Sequence, residues 1–367
     1  MHAHIEVSTP IHSSARVLQA SGLFDVPIEA KTTLSWDADL PLEDKDWNVG
    51  LIVGPSGSGK STLARHLWPD QLATTYDWST DRSLMDDFPA KMSVRQIVAL
   101  LNAVGLSSPP AWLRPHHTLS NGEAFRATIA RALAETDDAD TVVIDEFTSV
   151  VDRQVAKVAS HTVQKTVRRQ KRQLVAVTCH YDVEDWLQPD WVYDVAAGSF
   201  SWRSVQPHPE LELRIHRVDR AVWPTFSRHH YLSADLAKSA QCYGGWIDGQ
   251  LVAFTSYIHL PHSKIRDMKM AHRTVVLPDF QGLGIAGKMV EFVGQSLHEK
   301  GYRFRRVIAH PAVIAYCLRS PRWRENEKPG GRSNLRSRSV SPALRARFAD
   351  PRRLLTRSFE YQPPAKR

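Results

Sequence analysis

Strands alternating with helices, two glycine-rich turns that each link an apolar strand to a helix, and a composition break at Pro207–His208–Pro209 predict an α/β protein with two domains and a basic tail. A chain of 367 residues is long enough for two cores. The first domain is placed at 1–206, the second at 207–323, and an arginine-rich C-terminal segment at 324–367.

In chain order, the first strand runs from Trp47 into the turn at Gly54, and Lys60 to Leu67 follows as a helix. A polar, proline-bearing stretch covers Pro69 to Pro89, and SVRQIVALLNAVGL, Ser93 to Leu106, is helical. In LSNGEAFRATIARALAE the apolar residues Ala124, Ile129, Ala130 and Leu133 share one helix face. TVVIDEF is an apolar strand ending in two acids, and QLVAVTCHY is one ending at a histidine. Apolar strands joined by helical crossovers mark a mostly parallel sheet. After the break, Asp248–Gly249 is a tight-turn pair, so YGGWIDGQLVAFTSYIHL is a hairpin. The strand AHRTVVL, a helix from Ile285 to His298, the strand FRRVIAH and a helix from Ala312 to Leu318 complete a small mixed α/β domain. Beyond Trp323 the chain is rich in Arg, Ser and Pro, the composition of a segment that is disordered or folds against a partner.

The formal charge is +8, and it is unevenly spread. From Arg319 to Arg367 there are 14 basic and 4 acidic residues, which leaves the body near neutral. A basic tail on a neutral body points to an anionic macromolecule, unless the tail serves only solubility. Cys179, Cys242 and Cys317 form neither a zinc spacing nor a disulfide framework. The N-terminal MHAHIEVSTPIHSS lacks the basic start and apolar run of a signal peptide, and no apolar run reaches 18 residues. The expectation is a reducing, cytoplasmic protein with no membrane segment.

GPSGSGKST, residues 54 to 62, fits G-x-x-x-x-G-K-[ST] between an apolar strand and a helix. Gly54, Ser56, Gly57 and Gly59 form a loop whose amides turn inward, and Thr62 closes it. Lys60 reaches terminal phosphates, and Ser61 ligands magnesium. Asp145, at the end of TVVIDEF, shares the magnesium shell, and Glu146 polarises the attacking water.

Three further stretches lie in a matching order: LSNGE at Leu119 to Glu123, SVVD at Ser149 to Asp152, and His180 at a strand end. With the two preceding motifs they resemble the ABC-type ATPase superfamily from about Trp47 to Trp202, although Asn121 stands where glycine is usual. The resemblance implies a head-to-tail homodimer with ATP and Mg2+ sandwiched between protomers. Ser120 and Gly122 then act in trans, and His180 is the switch histidine. Only 60 residues separate Lys60 from Ser120, which is short for a transporter head. Gln96 is a candidate for the family's glutamine loop or a plain helix-surface residue. Phe24, Trp36 and Trp47 all remain candidates for the nucleotide-stacking aromatic. The short segment and the lack of a membrane run point to a soluble ATPase of the kind used on nucleic acid.

The second turn lies in HRTVVLPDFQGLGIAGKM, residues 272 to 289. Gln281, Gly282, Gly284 and Ala286 keep bulk away from a backbone that leads into a helix N-terminus, where amides meet an anion. A plain structural turn has the same composition. A dinucleotide fold fits poorly, since it expects the turn after a domain's first strand. The stretch resembles motif A of the GNAT acetyltransferase superfamily, Q/R-x-x-G-x-G/A, over a region from about Leu211 to Trp323. That resemblance implies a loop holding the pyrophosphate of acetyl-CoA.

RHHYLSADL, Arg228 to Leu236, and AHPAVIAYCLRSPRW, Ala309 to Trp323, look like the Mom-type branch of GNAT proteins, phage enzymes that modify adenine in DNA. The resemblance carries a His-Tyr pair onto His230 and Tyr231. As chemistry, His230 accepts a proton, Tyr231 donates a hydrogen bond, Asp235 orients the imidazole or joins a metal set, and Tyr316 protonates a leaving thiolate. Packing or capping roles fit the same residues. Trp246, Trp323 and Tyr257 are candidates to line a pocket for a base, and Arg319, Arg322, Arg324, Arg332, Arg336 and Arg338 to bind phosphates. DNA is the favoured partner and RNA the other; the competing reading is an ATP-gated nucleic-acid-binding protein whose GNAT-like domain acts on tRNA or protein, or only senses CoA.

Overall fold

The computed structural model describes residues 1–24, 27–28, 31–73, 76–203, 212–230, 234–260, 267–326 and 356–364. Packing divides the chain into two units. One comprises Met1–Asp77 and Thr128–His208, and the other Trp78–Ala127 and Pro209–Arg367.

The first unit opens with an antiparallel ribbon of β1 (His2–Pro10) and β2 (Lys31–Asp39), in register from His2 opposite Asp39 to Pro10 opposite Lys31. Only Ala3, Ile5 and Ala38 along it are buried. Its main sheet contains β3 (Val49–Val53), β4 (Leu72–Ala73), β5 (Thr141–Ile144), β6 (Gln173–Thr178), β7 (Trp191–Asp194) and β8 (Ser199–Trp202), in the order β4-β5-β6-β3-β7-β8. All neighbours are parallel except β7 and β8. A strand flanked by parallel neighbours and covered on both faces reads as an unbroken apolar run, and all five residues of β3 are buried. Gly50 is required there by close packing, because a methyl group would overlap the indole of Trp191. The start of β3 is fixed by Asp190, whose carboxylate accepts from the amides of Asn48 and Val49 at 2.8 and 2.9 Å and pairs with Arg168 at 2.7 Å. β3 therefore delivers the glycine loop that follows it from a rigid centre.

The second unit has a seven-stranded sheet of β9 (Arg214–Arg217), β10 (Gln241–Ile247), β11 (Gln250–His259), β12 (Met268–Val276), β13 (Arg303–Ile308), β14 (Trp323–Glu325) and β15 (Arg357–Tyr361), in the order β14-β15-β13-β12-β11-β10-β9. β9 to β12 run antiparallel. The β10–β11 hairpin turns on Asp248 and Gly249, both at positive φ, as the sequence predicts. β12 and β13 are parallel and joined by the helix Ile285–Glu299. They pair only from Met268–Met270 to Arg303–Arg305. Near Tyr257 the β11–β12 register slips; β12 stays with β11 as far as Val276, while β13 pairs on its other side with β15. The two central strands thus share no ladder past three residue pairs.

The expected basic tail is partly sheet. β15 lies between β13 and β14, with Phe359 fully buried. Arg303 holds Glu360 at 2.7 and 2.8 Å, and Arg357 holds Glu325 at 2.6 and 2.5 Å. Two bidentate ion pairs give this strand its partners, so its polar composition hid it. Arg332, Arg336 and Arg338 lie outside the described residues.

Candidate functional site

In the first unit, Gly54, Gly57 and Gly59 all have positive φ, and Gly59 is the N-cap of the helix Lys60–Leu67, with no side-chain cap. The backbone thus curls around the helix N-terminus, where unpaired amides favour an anion. Ser56 and Gly57 are exposed on the rim, and Ser61 and Thr62 are half-buried in the first helical turn. Lys60 is buried, donates to the Pro55 carbonyl at 2.8 Å, and has no carboxylate partner among the described residues. The Ser58 hydroxyl is buried without a partner among the described residues. A buried cation paired only with a carbonyl, beside an orphaned hydroxyl and unfilled amides, fits a polyphosphate.

Ser61 comes from the first turn of the helix Lys60–Leu67 and Asp145 from just past the end of β5, yet the Ser61 hydroxyl donates to Asp145 Oδ1 at 3.0 Å. A hydroxyl and a carboxylate at that spacing fit an octahedral Mg2+ shared with phosphate oxygens. The Glu146 amide also donates to Asp145 Oδ1, at 2.9 Å. Glu146 has a φ of 52° and Thr148 one of 68°, uncommon values for residues with a β-carbon. The exposed Glu146 carboxylate is steadied by the Ser149 hydroxyl, which donates to its Oε2 at 2.6 Å. His180 is half-buried at the end of β6, where its amide donates to Thr178 Oγ1 at 3.2 Å.

Of the three aromatics left open by the sequence, Trp47 is a core residue edge-on to Trp191, and Phe24 is exposed on the helix Ala15–Phe24. Trp36, on β2, lies against Gly59, where an added methyl group would come within 2.7 Å of its ring. β2 was not foreseen, so Trp36 had no element to sit on; the alternation in HIEVST of its partner β1 was the available signal.

In the second unit, Ser120 precedes the helix Asn121–Glu135. Glu123 Oε2 accepts from its amide at 3.0 Å, and its hydroxyl accepts from the Glu123 amide at 3.3 Å. This reciprocal cap is the S-x-x-E spacing within LSNGE. Gln96 caps its own helix through Ser93, which is a structural role.

The second glycine turn also has the form of an anion cradle. Gly282 and Gly284 have φ of 89° and 78°, and Gly284 is the N-cap of Ile285–Glu299 with no side-chain cap. Nothing lies within 4 Å of a methyl group added at Gly284, so the space over the turn is open, and Ala286 is half-buried behind it. Gln281 is occupied elsewhere: its Oε1 accepts from the Ser107 amide at 2.7 Å, and its Nε2 donates to the Val276 carbonyl at 3.1 Å. Only its backbone is left to meet an anion.

Tyr316, on the helix Pro311–Arg319, lies against Gly287, and its hydroxyl donates to Glu291 Oε1 at 2.6 Å. Burial and the Glu291 carboxylate push the phenol well above its ordinary range, which keeps it protonated and makes it a poor acid. His230 is half-buried with its ring edge-on to Trp223. Asp235 is exposed, and its carbonyl accepts from Arg273 Nε at 3.0 Å. Tyr231 lies outside the described residues. Trp323 is a core residue, packed against Phe304 and Tyr361 and beneath the Arg306 guanidinium, so it is no base platform. Trp246 and Tyr257 are half-buried, and Arg319 and Arg324 are exposed. No group of three metal-ligating side chains occurs among the described residues, so Asp235 belongs to no such set there.

Neither a family model nor a curated protein matches the chain. Among solved structures it is similar to a bacterial ABC exporter with ATP bound, at 18% identity over 44% of this chain and 33% of that one, with a TM-score of 0.34. It is also similar to a dimeric bacterial ABC transporter cassette, at 16% identity over 44% of this chain and 87% of that one, with a TM-score of 0.36. A third likeness is to an archaeal ribosome recycling factor bound to a ribosomal stalk protein, at 18% identity, 40% and 35% coverage and a TM-score of 0.32. The chain spans a third of the exporter's length. With TM-scores below 0.5, these likenesses add no weight to the geometry of the loop. No helix among the described residues is long and apolar enough to cross a membrane.

Proposed function

We propose that the chain is an ATP-hydrolysing enzyme of the ABC type whose second unit transfers an acyl group from a coenzyme A thioester to DNA, at the adenine amino nitrogen that the Mom-type resemblance points to. The observation that carries the first half is the meeting of Ser61 with Asp145 at 3.0 Å beside the buried Lys60. In this reading Lys60 binds the terminal phosphates, Ser61 and Asp145 hold Mg2+, and Glu146, aligned by Ser149, takes the proton of the attacking water. ATP supplies the phosphoanhydride, and two chains pair head to tail so that Ser120 and Gly122 complete the partner's site.

Support for the second half comes from the parting of β12 and β13 together with the open turn at Gly282–Gly284. Strands that part expose backbone donors and acceptors, which suit the amides of an extended pantetheine arm, and the turn's amides suit a pyrophosphate. Acetyl-CoA supplies an activated carbonyl. The acceptor nitrogen attacks it, the C–N bond forms and the C–S bond breaks. His230 takes the amine proton and returns it to the leaving sulfur. DNA is supported by the 14 basic residues against 4 acidic ones from Arg319 onward. Extruding a base costs a few kcal/mol, and the half-buried Trp246 is the remaining tryptophan candidate to stack against it.

The test is mass spectrometry of nucleosides from host DNA and tRNA after expression of wild type, Gly284→Trp and Lys60→Ala. A new deoxyadenosine species lost in Gly284→Trp supports the reading, and its mass identifies the group. A new species in tRNA alone moves the acceptor to RNA. Silence in both, with an acylated protein instead, rejects nucleic acid as the substrate.

A further inference from the structure

Arg126 ties the start of its own helix to a turn that the reading above assigns to a different ligand. It stands near the start of the helix Asn121–Glu135, and its side chain is fully buried. Its Nη1 reaches the Gly122 carbonyl at 3.5 Å, and its Nη2 donates to the Asp279 carbonyl at 2.9 Å. The Asp279 carboxylate lies 3.9 Å from Nη1. Gly122 belongs to LSNGE. Asp279 belongs to the turn Pro278–Phe280, which is anchored by the buried Phe280 and runs directly into Gln281, Gly282 and Gly284. A second tie, from the Ser107 amide to Gln281 Oε1 at 2.7 Å, reaches the same turn from the same 78–127 segment. Both ties lie within one compact unit.

A buried guanidinium is costly unless its donors find partners, and here two of them meet the Gly122 carbonyl, in the first turn of Arg126's own helix, and the Asp279 carbonyl, in the Pro278–Phe280 turn. In a low dielectric, moving the Pro278–Phe280 turn away from the helix that carries Gly122 and Arg126 costs a charge-assisted bond, so the turn and the start of that helix move together. We propose that Arg126 is a positioning residue that makes the LSNGE loop and the Pro278–Gly284 turn one element. This rests on the two-ligand reading above. Nucleotide engaged by Ser120 and Gly122 then changes the affinity of the turn for a CoA thioester, and the thioester changes nucleotide affinity by the same factor.

The test is calorimetric titration of the full chain with acetyl-CoA, with and without a saturating non-hydrolysable ATP analogue and magnesium. Wild type is expected to shift its acetyl-CoA Kd by at least about five-fold. Arg126→Ala should bind both ligands with the shift reduced below about two-fold. Arg126→Lys keeps the charge but not the fork that spans two carbonyls, and should fall between. Gln281→Met removes the Ser107 tie together with the bond to the Val276 carbonyl, leaves Arg126 in place, and should weaken the shift on its own, which keeps the idea testable if Arg126→Ala does not fold. Two outcomes overturn the proposal while sparing the two sites: both ligands bind wild type with no shift, or Arg126→Ala keeps the whole shift. Failure of wild type to bind acetyl-CoA at all removes the two-ligand reading, and the coupling with it.

Discussion

Replacing Gly287 with alanine tests how the second unit holds its glycine turn. Gly287 is in the first turn of Ile285–Glu299, and a methyl group there would come within 2.5 Å of Tyr316 Cζ and 2.8 Å of its hydroxyl oxygen. Neither partner yields easily, because one is helix backbone and the other is held by Glu291 at 2.6 Å. Alanine in a helix is worth about 1 kcal/mol over glycine. Against that gain stand an overpacking cost of about 1–3 kcal/mol and loss of a hydrogen bond to a charged group, about 1.5–3 kcal/mol. The net expectation is destabilisation by about 1.5–5 kcal/mol, or roughly 3–20 °C in Tm for a unit of this size. Urea and thermal unfolding of Gly287→Ala, alone and in a Tyr316→Phe background, measure it. The second background lacks the hydroxyl in the methyl's path, so the penalty should shrink there. A Gly287→Ala protein more stable than wild type by about 1 kcal/mol, as helix propensity alone gives, would refute the packing of Tyr316 on this helix.

Glu146→Gln should lower ATP turnover by about 10²- to 10⁴-fold with nucleotide binding retained, checked by phosphate release and by titration. Gly50→Ala should destabilise the first unit by about 1–3 kcal/mol, read from its unfolding midpoint, because the methyl overlaps the Trp191 indole. Burial, with Arg273 beside it, pushes the His272 pKa down to about 4, and its Nε2 accepts from the Ala237 amide at 3.1 Å. A histidine held neutral in the folded state gives stability that is whole above its unfolded pKa of about 6.5 and is lost as pH falls towards 4. With partial exposure screening the effect, the loss should be about 1–2 kcal/mol, absent in His272→Asn, in urea melts between pH 7 and pH 4.

The P-loop and the Asp145–Glu146 strand end were legible because phosphate chemistry fixes residue types at fixed spacings, and their folded geometry follows the motif. The parallel core was legible for a related reason: a strand covered on both faces must be apolar throughout, as β3 is. β1 and β2 were not, since only Ala3, Ile5 and Ala38 along them are buried and the alternation is too weak to stand out. β15 was hidden because arginine–glutamate pairs, rather than apolar alternation, attach it to its neighbours. The ties of Gln281 to Ser107 and of Arg126 to Asp279 span more than 150 positions, and no local pattern announces them. The Gln281 side chain is occupied by Ser107 and Val276, which leaves its backbone as the part of the residue that can face an anion. Trp323 was offered as a base platform on residue type alone, and its burial against Phe304 decides otherwise.

The central claim is that one chain holds two separate cradles, one for ATP and one for a coenzyme A thioester. Its most direct test is calorimetric titration of wild type, Lys60→Ala and Gly284→Trp with each ligand alone. The account predicts one nucleotide and one acetyl-CoA per chain, with nucleotide binding lost only in Lys60→Ala and acetyl-CoA binding lost only in Gly284→Trp. Acetyl-CoA that is displaced by ATP and lost in Lys60→Ala would mean that its adenine nucleotide half occupies the P-loop, and would contradict the second cradle.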